Sequence, residues 1–396
     1  MGVDAGWYGS DRSQRMARER VQARWQDAYA PARHLDPILV VTALLLTGIG
    51  LAMIYSATSF RLELNNTDVM FYVRKQVVAL AVGLVAMIVM AVMDYRWART
   101  YSPLIYTMTL ILLVVVLSPL GTNVNGSQRW INLGGFNLQP SEVAKLAVIV
   151  TLAALLHEQK GEPSLPIVAA AVALVVVPMG LVFLEPDLGT SIVFVWLTFV
   201  LMLVGGVKGR YLLGLAAAGV GATVTAFRLD FIEGYQVERL TAFLDAGNSE
   251  LAQTSAFHTQ QSLIAIGSGQ FVGKGYLQGT QNTLSYVPEN HTDFIFTIVG
   301  EEFGFVGGVV VLALFCVLIW RGLRIAILAK DLFGTLVASG VVGLLALQVF
   351  VNVGMTIGIM PVTGIALPLV SYGGTSLIIW FALIGLLLNI HMRRFT

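Results

Sequence analysis

The sequence predicts an all-α polytopic integral membrane protein with about ten transmembrane helices. Of its 396 residues, 56% are hydrophobic and 12% are charged, whereas soluble domains are roughly 45–50% apolar and about 25% charged. Several apolar stretches reach the length of about 20 residues that one helical crossing requires. These stretches are continuous and lack the period-two alternation of a membrane β-barrel. An ordinary soluble protein and an outer-membrane barrel are therefore excluded.

The individual spans follow from the gaps between charged residues. The last charge-free window, 332–392, is too long for one crossing, and the segment from Gly358 to Pro368 supplies a break that divides it into two helices. A span at 141–156 is apolar except for Glu142 and Lys145. In chain order, the predicted spans lie within 37–60, 76–93, 100–128, 141–156, 163–184, 188–207, 211–227, 303–320 and the two halves of 332–392.

The placement of basic residues sets the predicted orientation. An even number of spans puts both termini on one side of the membrane. If that side is the cytoplasm, most of the 24 Lys and Arg residues fall in cytoplasmic segments, as the positive-inside rule requires. The predicted division is a basic cytoplasmic tail (1–36), which anchors at the inner leaflet, a ten-helix membrane domain (37–392) and a cytoplasmic C-terminus (393–396). Two longer segments then face outside: 121–139, and a large loop of about 228–293 between helices 7 and 8.

Composition also excludes several kinds of partner and cofactor. The net charge of +1 gives no general attraction to nucleic acid. A single cysteine, Cys316, cannot form an intramolecular disulfide or a cysteine-based metal cluster. The glycine pairs at 267–269 and 273–275 resemble phosphate-binding turns, but no strand precedes them and no Lys-Ser/Thr of a P-loop follows. They are interpreted as turn glycines, and no nucleotide is expected.

Charged residues at membrane depth on the outer side form the candidate site, because such charges are costly and mark either a site or a structural pair. Glu142 and Lys145 lie three residues apart on one helix and can pair. Asp187 stands at a helix start, where it can serve as N-cap, and the same alternative applies to Asp293 at the end of the large loop. Glu301 and Glu302 are adjacent and cannot share one helix face.

Arg129, Lys145 and Arg239 supply positive charge on the same side in the predicted topology. Cations that bind phosphate, with a carboxylate as base or metal ligand, suit an anionic lipid headgroup. A proton or ion path is equally compatible with this composition. The residues by themselves leave both interpretations open.

Seven groups of short motifs, spread in order over the whole membrane region, carry a resemblance to a known family. They are Asn125–Ile131, Gln139–Lys145, Glu185–Ser191, Ile266–Gly269 with Gly273–Gly275, Pro288–Phe296 with Glu301 and Glu302, Asn352–Met355, and Pro361–Gly364 with Leu367–Gly374. In these stretches the chain resembles the SEDS family (shape, elongation, division and sporulation), membrane glycosyltransferases that polymerise peptidoglycan. The family's ten-helix fold agrees with the span count above.

The resemblance implies a reaction at the outer face of the bacterial cytoplasmic (inner) membrane, in which two lipid II molecules extend a β-1,4 glycan and release undecaprenyl diphosphate. It implies that Asp293 is the general base for the acceptor GlcNAc 4-hydroxyl, with His291 of the same motif as a supporting residue. Arg129, Lys145 and Arg239 become candidates for binding the diphosphate. Glu142 would position Lys145, and Asp187 would support the cavity.

The resemblance also implies partners and leaves alternatives. Family members act with a class B penicillin-binding protein, a transpeptidase, and with other membrane proteins of the elongation complex. A divalent cation, Mg²⁺ or Mn²⁺, is an expectation for which spacing shows no ligand set. Asn290, in Glu-Asn-His-Thr-Asp, favours the elongation branch, which maintains rod shape, over the division branch. A lipid II flippase and a structural scaffold are the rival functions, although no internal repeat typical of a transporter is seen.

Overall fold

The structure is a computed structural model that describes residues 34–124, 127–132, 134–159, 161–228, 255–283 and 290–394. The predicted tail falls almost wholly outside these ranges, as do parts of the large loop. Within them lie thirteen helices and one three-stranded sheet. In chain order the elements are α1 (Pro37–Leu64), α2 (Phe71–Val92), α3 (Tyr95–Thr100), α4 (Ser102–Leu117), β1 (Gly121–Val124), β2 (Ser127–Asn132), β3 (Asn137–Leu138), α5 (Pro140–His157), α6 (Leu165–Leu184), α7 (Leu188–Val204), α8 (Gly209–Arg228), α9 (Ser255–Gly269), α10 (Thr280–Thr283), α11 (Ile295–Ile327), α12 (Leu332–Thr356) and α13 (Gly374–Arg393).

A helix lies at each of the ten predicted spans. Within the described residues, seven helices are long and apolar enough to cross a membrane: α1, α2, α5, α6, α11, α12 and α13. The apolar helices α4 and α7 are shorter, with 16 and 17 residues, and α8 occupies the remaining predicted span. Within the charge-free window 100–128 the helix ends at Leu117, and a strand begins at Gly121. The cytoplasmic position of the termini stays a prediction.

The segment 121–139, predicted as an outer loop, contains the antiparallel sheet β1-β2-β3. Gly121 pairs with Ile131, and Ile131 pairs on its other side with Leu138. Pro140 then starts α5 directly after the sheet, at a position where its missing N–H costs no helical hydrogen bond. The sheet therefore holds β2 beside the N-terminus of α5.

The predicted break in the last window is confirmed. Between α12 and α13 the chain runs through 357–373 without a helix or strand. This segment approaches α1 so closely that a Cβ at Gly50 would lie 2.5 Å from the carbonyl oxygen of Val370. Its own turn is closed by Ser371, whose hydroxyl accepts a hydrogen bond of 2.9 Å from the Leu367 amide.

The helices α5, α12 and α13 form the centre of the molecule, with more than three quarters of each apolar window buried. Helix α13 packs closely on α2, where a Cβ at Gly385 would lie 2.3 Å from the carbonyl oxygen of Met87. One turn further on, the buried Asn389 donates hydrogen bonds of 2.9 Å to the carbonyls of Met90 and Ala91. These contacts hold α2 and α13 together at the end of the bundle remote from the sheet.

The described part of the large loop, 255–283, docks on α11 and on the end of α12. Ser262 donates to the carbonyl of Thr356 at 2.8 Å, and the side chain of Lys274 pairs with Glu301 at 2.7 Å. The adjacent acid, Glu302, accepts a hydrogen bond from Ser56 of α1. The two neighbouring acids thus point to different partners, as their position on one helix requires.

Candidate active site

A cavity of about 1020 Å³ opens among β2, the start of α5, the α6–α7 turn and the segments before α11 and α13. Its basic lining residues are Arg74, Lys75, Arg129 and Lys145, and its acidic ones are Glu142, Asp187 and Asp293. Five of the seven residues that the sequence proposed therefore meet around one space. A concave, partly apolar site on which a few charged groups converge is typical of a ligand-binding pocket.

Asp293 lines the cavity from the turn that precedes α11. The N-cap of this helix is Phe294, and no side chain donates or accepts a capping hydrogen bond there. The alternative interpretation of Asp293 as an N-cap is therefore not supported. Its side chain is half-buried, a setting in which a carboxylate can reach both a substrate and solvent.

Glu142 and Lys145 form a buried ion pair in the cavity wall. Lys145 Nζ lies 2.6 Å from Glu142 Oε1, and the exposed fractions of the two side chains are 3% and 11%. The pair spans one turn of α5, which places both groups on the same face. Glu142 Oε2 has no hydrogen-bond partner among the described residues. The pairing predicted from their spacing is thus present, and both members also face the cavity.

Arg129 holds the α6–α7 turn against β2. Its guanidinium donates to the main-chain carbonyls of Glu185, at 3.1 Å, and Pro186, and lies 3.9 Å from Asp187 Oδ1. Asp187 in turn caps α7: Oδ1 accepts from the Thr190 amide at 3.1 Å, and Oδ2 accepts from the Thr190 hydroxyl at 2.9 Å. Capping and cavity lining are therefore both properties of Asp187.

Glu185 is a buried acid that the sequence analysis did not propose as a site residue. Its side chain is fully buried, and neither carboxylate oxygen has a hydrogen-bond partner among the described residues. The pKa of Glu185 is raised to about 8, first by burial and second by the negative charge of Asp187, while the positive charge of Arg129 opposes the shift. The protonated, neutral form therefore prevails at neutral pH.

Of the two remaining proposed residues, His291 is the one that lies within the described ranges. His291 is buried and is not among the lining residues. Its ring packs on those of Tyr72 and Tyr372 at centroid distances of 4.9 and 5.6 Å, and its carbonyl accepts a hydrogen bond of 2.9 Å from the Tyr372 amide. A supporting role for His291 thus runs through Tyr372, which does line the cavity. Arg239 lies outside the described residues.

Two buried glutamines are lining residues that sequence reasoning missed. Gln76 donates to the carbonyl of Ser371 and accepts from the Gly373 amide, both at 3.2 Å, which holds the start of α13. Gln348, 3% exposed, lines the cavity from α12. A polar amide inside an otherwise apolar span carries a desolvation cost, and that signal would have found both. A prediction that rests on charged residues alone does not include these neutral side chains.

The divalent cation stays a prediction. Within the described residues, no group of three His, Cys, Asp or Glu side chains is placed to hold a metal ion.

Comparison with known proteins agrees with this architecture. The family model for cell cycle proteins of the FtsW, RodA and SpoVE type matches residues 37–395. The chain is 40% identical over 361 residues to peptidoglycan glycosyltransferase MrdB of Escherichia coli, covering 91% of this chain and 94% of that protein. It is 39% identical over 365 residues to stage V sporulation protein E of Bacillus subtilis, covering 90% and 96%.

Solved structures show the same fold. Rod shape determining protein RodA of Thermus thermophilus matches with a TM-score of 0.67 and 31% identity, covering 91% of this chain and 98% of that one. A chain of a peptidoglycan synthase complex that coordinates polymerization and crosslinking matches with a TM-score of 0.75 and 32% identity, covering 91% and 98%. The resemblance drawn from the motifs is confirmed: this multi-pass membrane protein belongs to the FtsW, RodA and SpoVE family of cell cycle proteins, the SEDS family.

Proposed function

We propose that this protein is a peptidoglycan glycosyltransferase that polymerises lipid II into β-1,4 glycan strands at the outer face of the bacterial cytoplasmic membrane. Two curated relatives, MrdB and a probable FtsW of Geobacter at 36% identity over 368 residues, are peptidoglycan glycosyltransferases by name. The observation that carries the proposal is the convergence of Asp293, the Glu142–Lys145 pair and Arg129 on one cavity. A carboxylate and separated cations are the groups that this transfer needs.

In the proposed mechanism Asp293 is the general base. Its carboxylate takes the proton from the 4-hydroxyl of the acceptor GlcNAc while that oxygen attacks C1 of the donor MurNAc. The bond from C1 to the diphosphate oxygen breaks, the configuration at C1 inverts, and undecaprenyl diphosphate leaves with its electron pair. Asp293 lies at the end of a loop at the cavity wall, where its carboxylate can reach the acceptor hydroxyl.

The leaving diphosphate gains negative charge and requires fixed cations. Lys145 is preorganised by Glu142 at 2.6 Å, so its remaining two N–H groups are available for phosphate oxygens. Arg129 contributes charge from β2, where its hydrogen bonds to the α6–α7 turn fix its guanidinium. Fixed charges that stabilise a developing anion need no reorganisation during the reaction. In this mechanism Lys145 and Arg129 stabilise the leaving diphosphate, and Asp293 activates the acceptor hydroxyl.

The decisive experiment gives purified protein labelled lipid II in detergent, together with its proposed partner, a class B penicillin-binding protein. Wild type is expected to form glycan polymer, and Asp293→Ala is expected to lose at least about 10²-fold in rate while still binding lipid II. Absence of polymer from wild type, or an undiminished rate from Asp293→Ala, would refute the assignment. A detergent micelle has no separate leaflets across which a flippase could move lipid II, and a scaffold has no transferase activity. Neither would therefore yield polymer.

We also propose the elongation branch and the transpeptidase partner. Asn290, the residue that favours this branch, is buried and its side-chain amide lies 3.5 Å from the Ala57 carbonyl of α1. The sequence identities to MrdB and to FtsW are close and do not separate the branches. Rescue of cells depleted of their RodA, without rescue of cells depleted of FtsW, is expected. The opposite rescue pattern would reassign the protein to division.

A further inference from the structure

Asn352 joins two walls of the cavity from inside α12. Its side-chain nitrogen donates to the main-chain carbonyls of Asp293 and Ile365, both at 2.8 Å. Asp293 and Ile365 both line the cavity, one before α11 and the other in the segment before α13. The side chain of Asn352 is fully buried, so no water competes for these hydrogen bonds. One side chain thus sets the separation of two cavity-lining segments.

The chemistry of the contact requires an amide. Both partners are carbonyl oxygens, which only accept, so the NH₂ group of Asn352 must face them and uses both of its protons. The other end of the amide, Oδ1, has no hydrogen-bond partner among the described residues. A buried acceptor without a partner costs about 1–3 kcal/mol. An apolar side chain of similar size would avoid that cost but would remove both hydrogen bonds that Asn352 donates to these carbonyls.

The base proposed above is the residue that this contact holds. The bond is made to the main chain of Asp293, so it places the residue without occupying its carboxylate. Helix α12 is one of the three central helices and provides a rigid support. A displacement of about 1 Å at a reacting group can reduce the rate by about 10²-fold. A small relaxation of the Asp293 main chain would therefore change the rate more than the fold.

We infer that Asn352 is a positioning residue for the transfer reaction, which holds the main chain of Asp293 at a set distance from the adjacent Ile365 segment. This inference rests on the proposed function, in which Asp293 is the base. It assigns Asn352 no contact with substrate. The effect of its loss therefore falls on the rate of the bound complex and much less on lipid II binding.

The test compares Asn352→Leu with Asn389→Leu in the detergent polymerisation assay. Asn389 is the control, since it is also fully buried on a central helix and its side-chain nitrogen also donates to main-chain carbonyls, those of Met90, Ala91 and Met93, at contacts with the end of α2 that lie away from the cavity. Asn352→Leu is expected to lower kcat by about 10- to 100-fold, with KM for lipid II changed less than about threefold. Asn389→Leu is expected to lower the Tm comparably and to keep kcat within about threefold of wild type.

A second variant, Asn352→Asp, keeps the shape of the side chain and decides the question if the leucine variant is not recovered folded. A buried carboxyl group is protonated and then donates one hydrogen bond instead of two. Its kcat is expected to lie between those of wild type and Asn352→Leu. An unchanged kcat in folded Asn352→Leu or Asn352→Asp, or an equal loss in Asn389→Leu, overturns the positioning role.

The same assay includes Asp293→Ala so that two failures can be told apart. If Asp293→Ala polymerises lipid II like wild type, the proposed function fails. If Asp293→Ala is inactive while folded Asn352 variants keep the wild-type kcat, only the positioning role of Asn352 fails.

Discussion

The ammonium nitrogen of Lys145 lies 2.6 Å from Oε1 of Glu142, and both side chains are buried in the wall of the cavity that Asp293 also lines. This pair combines two roles that are usually separate. Each charge compensates the other inside the bundle, and the second oxygen of Glu142 and the remaining protons of Lys145 are left for other groups. Mutations can separate the structural role from the chemical one.

Removal of one partner is expected to destabilise the protein, since it leaves an uncompensated buried charge. Lys145→Met should cost about 3–5 kcal/mol and abolish polymerisation. The double variant Glu142→Gln/Lys145→Met removes both charges and should recover most of the stability without activity. Thermal unfolding and the lipid II assay measure the two effects. Recovery of activity in the double variant would show that Lys145 serves only to neutralise Glu142.

The second prediction concerns the planar fork of Arg129. Arg129→Lys keeps the positive charge but cannot make both main-chain hydrogen bonds to the α6–α7 turn. We expect about a tenfold loss in kcat/KM for Arg129→Lys and a loss of about 10²–10³-fold for Arg129→Met. Lys208→Met is the control, because Lys208 forms an exposed pair with Glu162. Equal activities of Arg129→Lys and wild type would show that the charge of Arg129 matters and that its hydrogen bonds to the α6–α7 turn do not.

The third prediction is a pH dependence of stability that arises from Glu185. Its pKa is raised from 4.5 to about 8 in the folded protein, so the folded state binds the proton more tightly than the unfolded state. The stability that this provides is complete below about pH 4.5 and is lost as pH rises to about 8. The Tm of wild type should therefore fall more steeply between pH 5 and 8 than that of Glu185→Gln, which is neutral throughout. If the Tm of wild type and that of Glu185→Gln change in parallel with pH, Glu185 is not the source of the pH dependence.

A glycine at the α2–α13 contact should be intolerant of even a methyl group. Gly385→Ala would place a Cβ 2.3 Å from the Met87 carbonyl oxygen, which forces the two helices apart. The expected cost is about 1–3 kcal/mol, as for other overpacked sites, measured as a lower Tm in detergent. Gly180→Ala on α6 is the control, since a Cβ there meets nothing within 4 Å, and its Tm should not fall.

Local sequence determined the spans well. A helix lies at each predicted span, and the break between α12 and α13 falls where Gly358 and Pro361 predicted it. The prediction succeeds because a bilayer selects for local properties: apolar length and backbone hydrogen bonding within each segment. It was wrong at 121–139, where a short sheet replaces the loop. The pairing of these strands depends on partners several residues away. The strands are also short and lie among polar turn residues, so they show no clear alternating pattern in the sequence.

For the site, the sequence by itself determined the residue types and one local pair, Glu142 with Lys145, whose spacing on a helix brings them together. Only the tertiary structure decided that Arg129 and Asp293 share their cavity, that His291 lies behind Tyr372, and that Asn352 holds Asp293. The physical reason is the distance along the chain between the residues that interact. Helical periodicity relates residues three or four apart, whereas the packing of α5, α11 and α12 brings together groups that are distant along the chain.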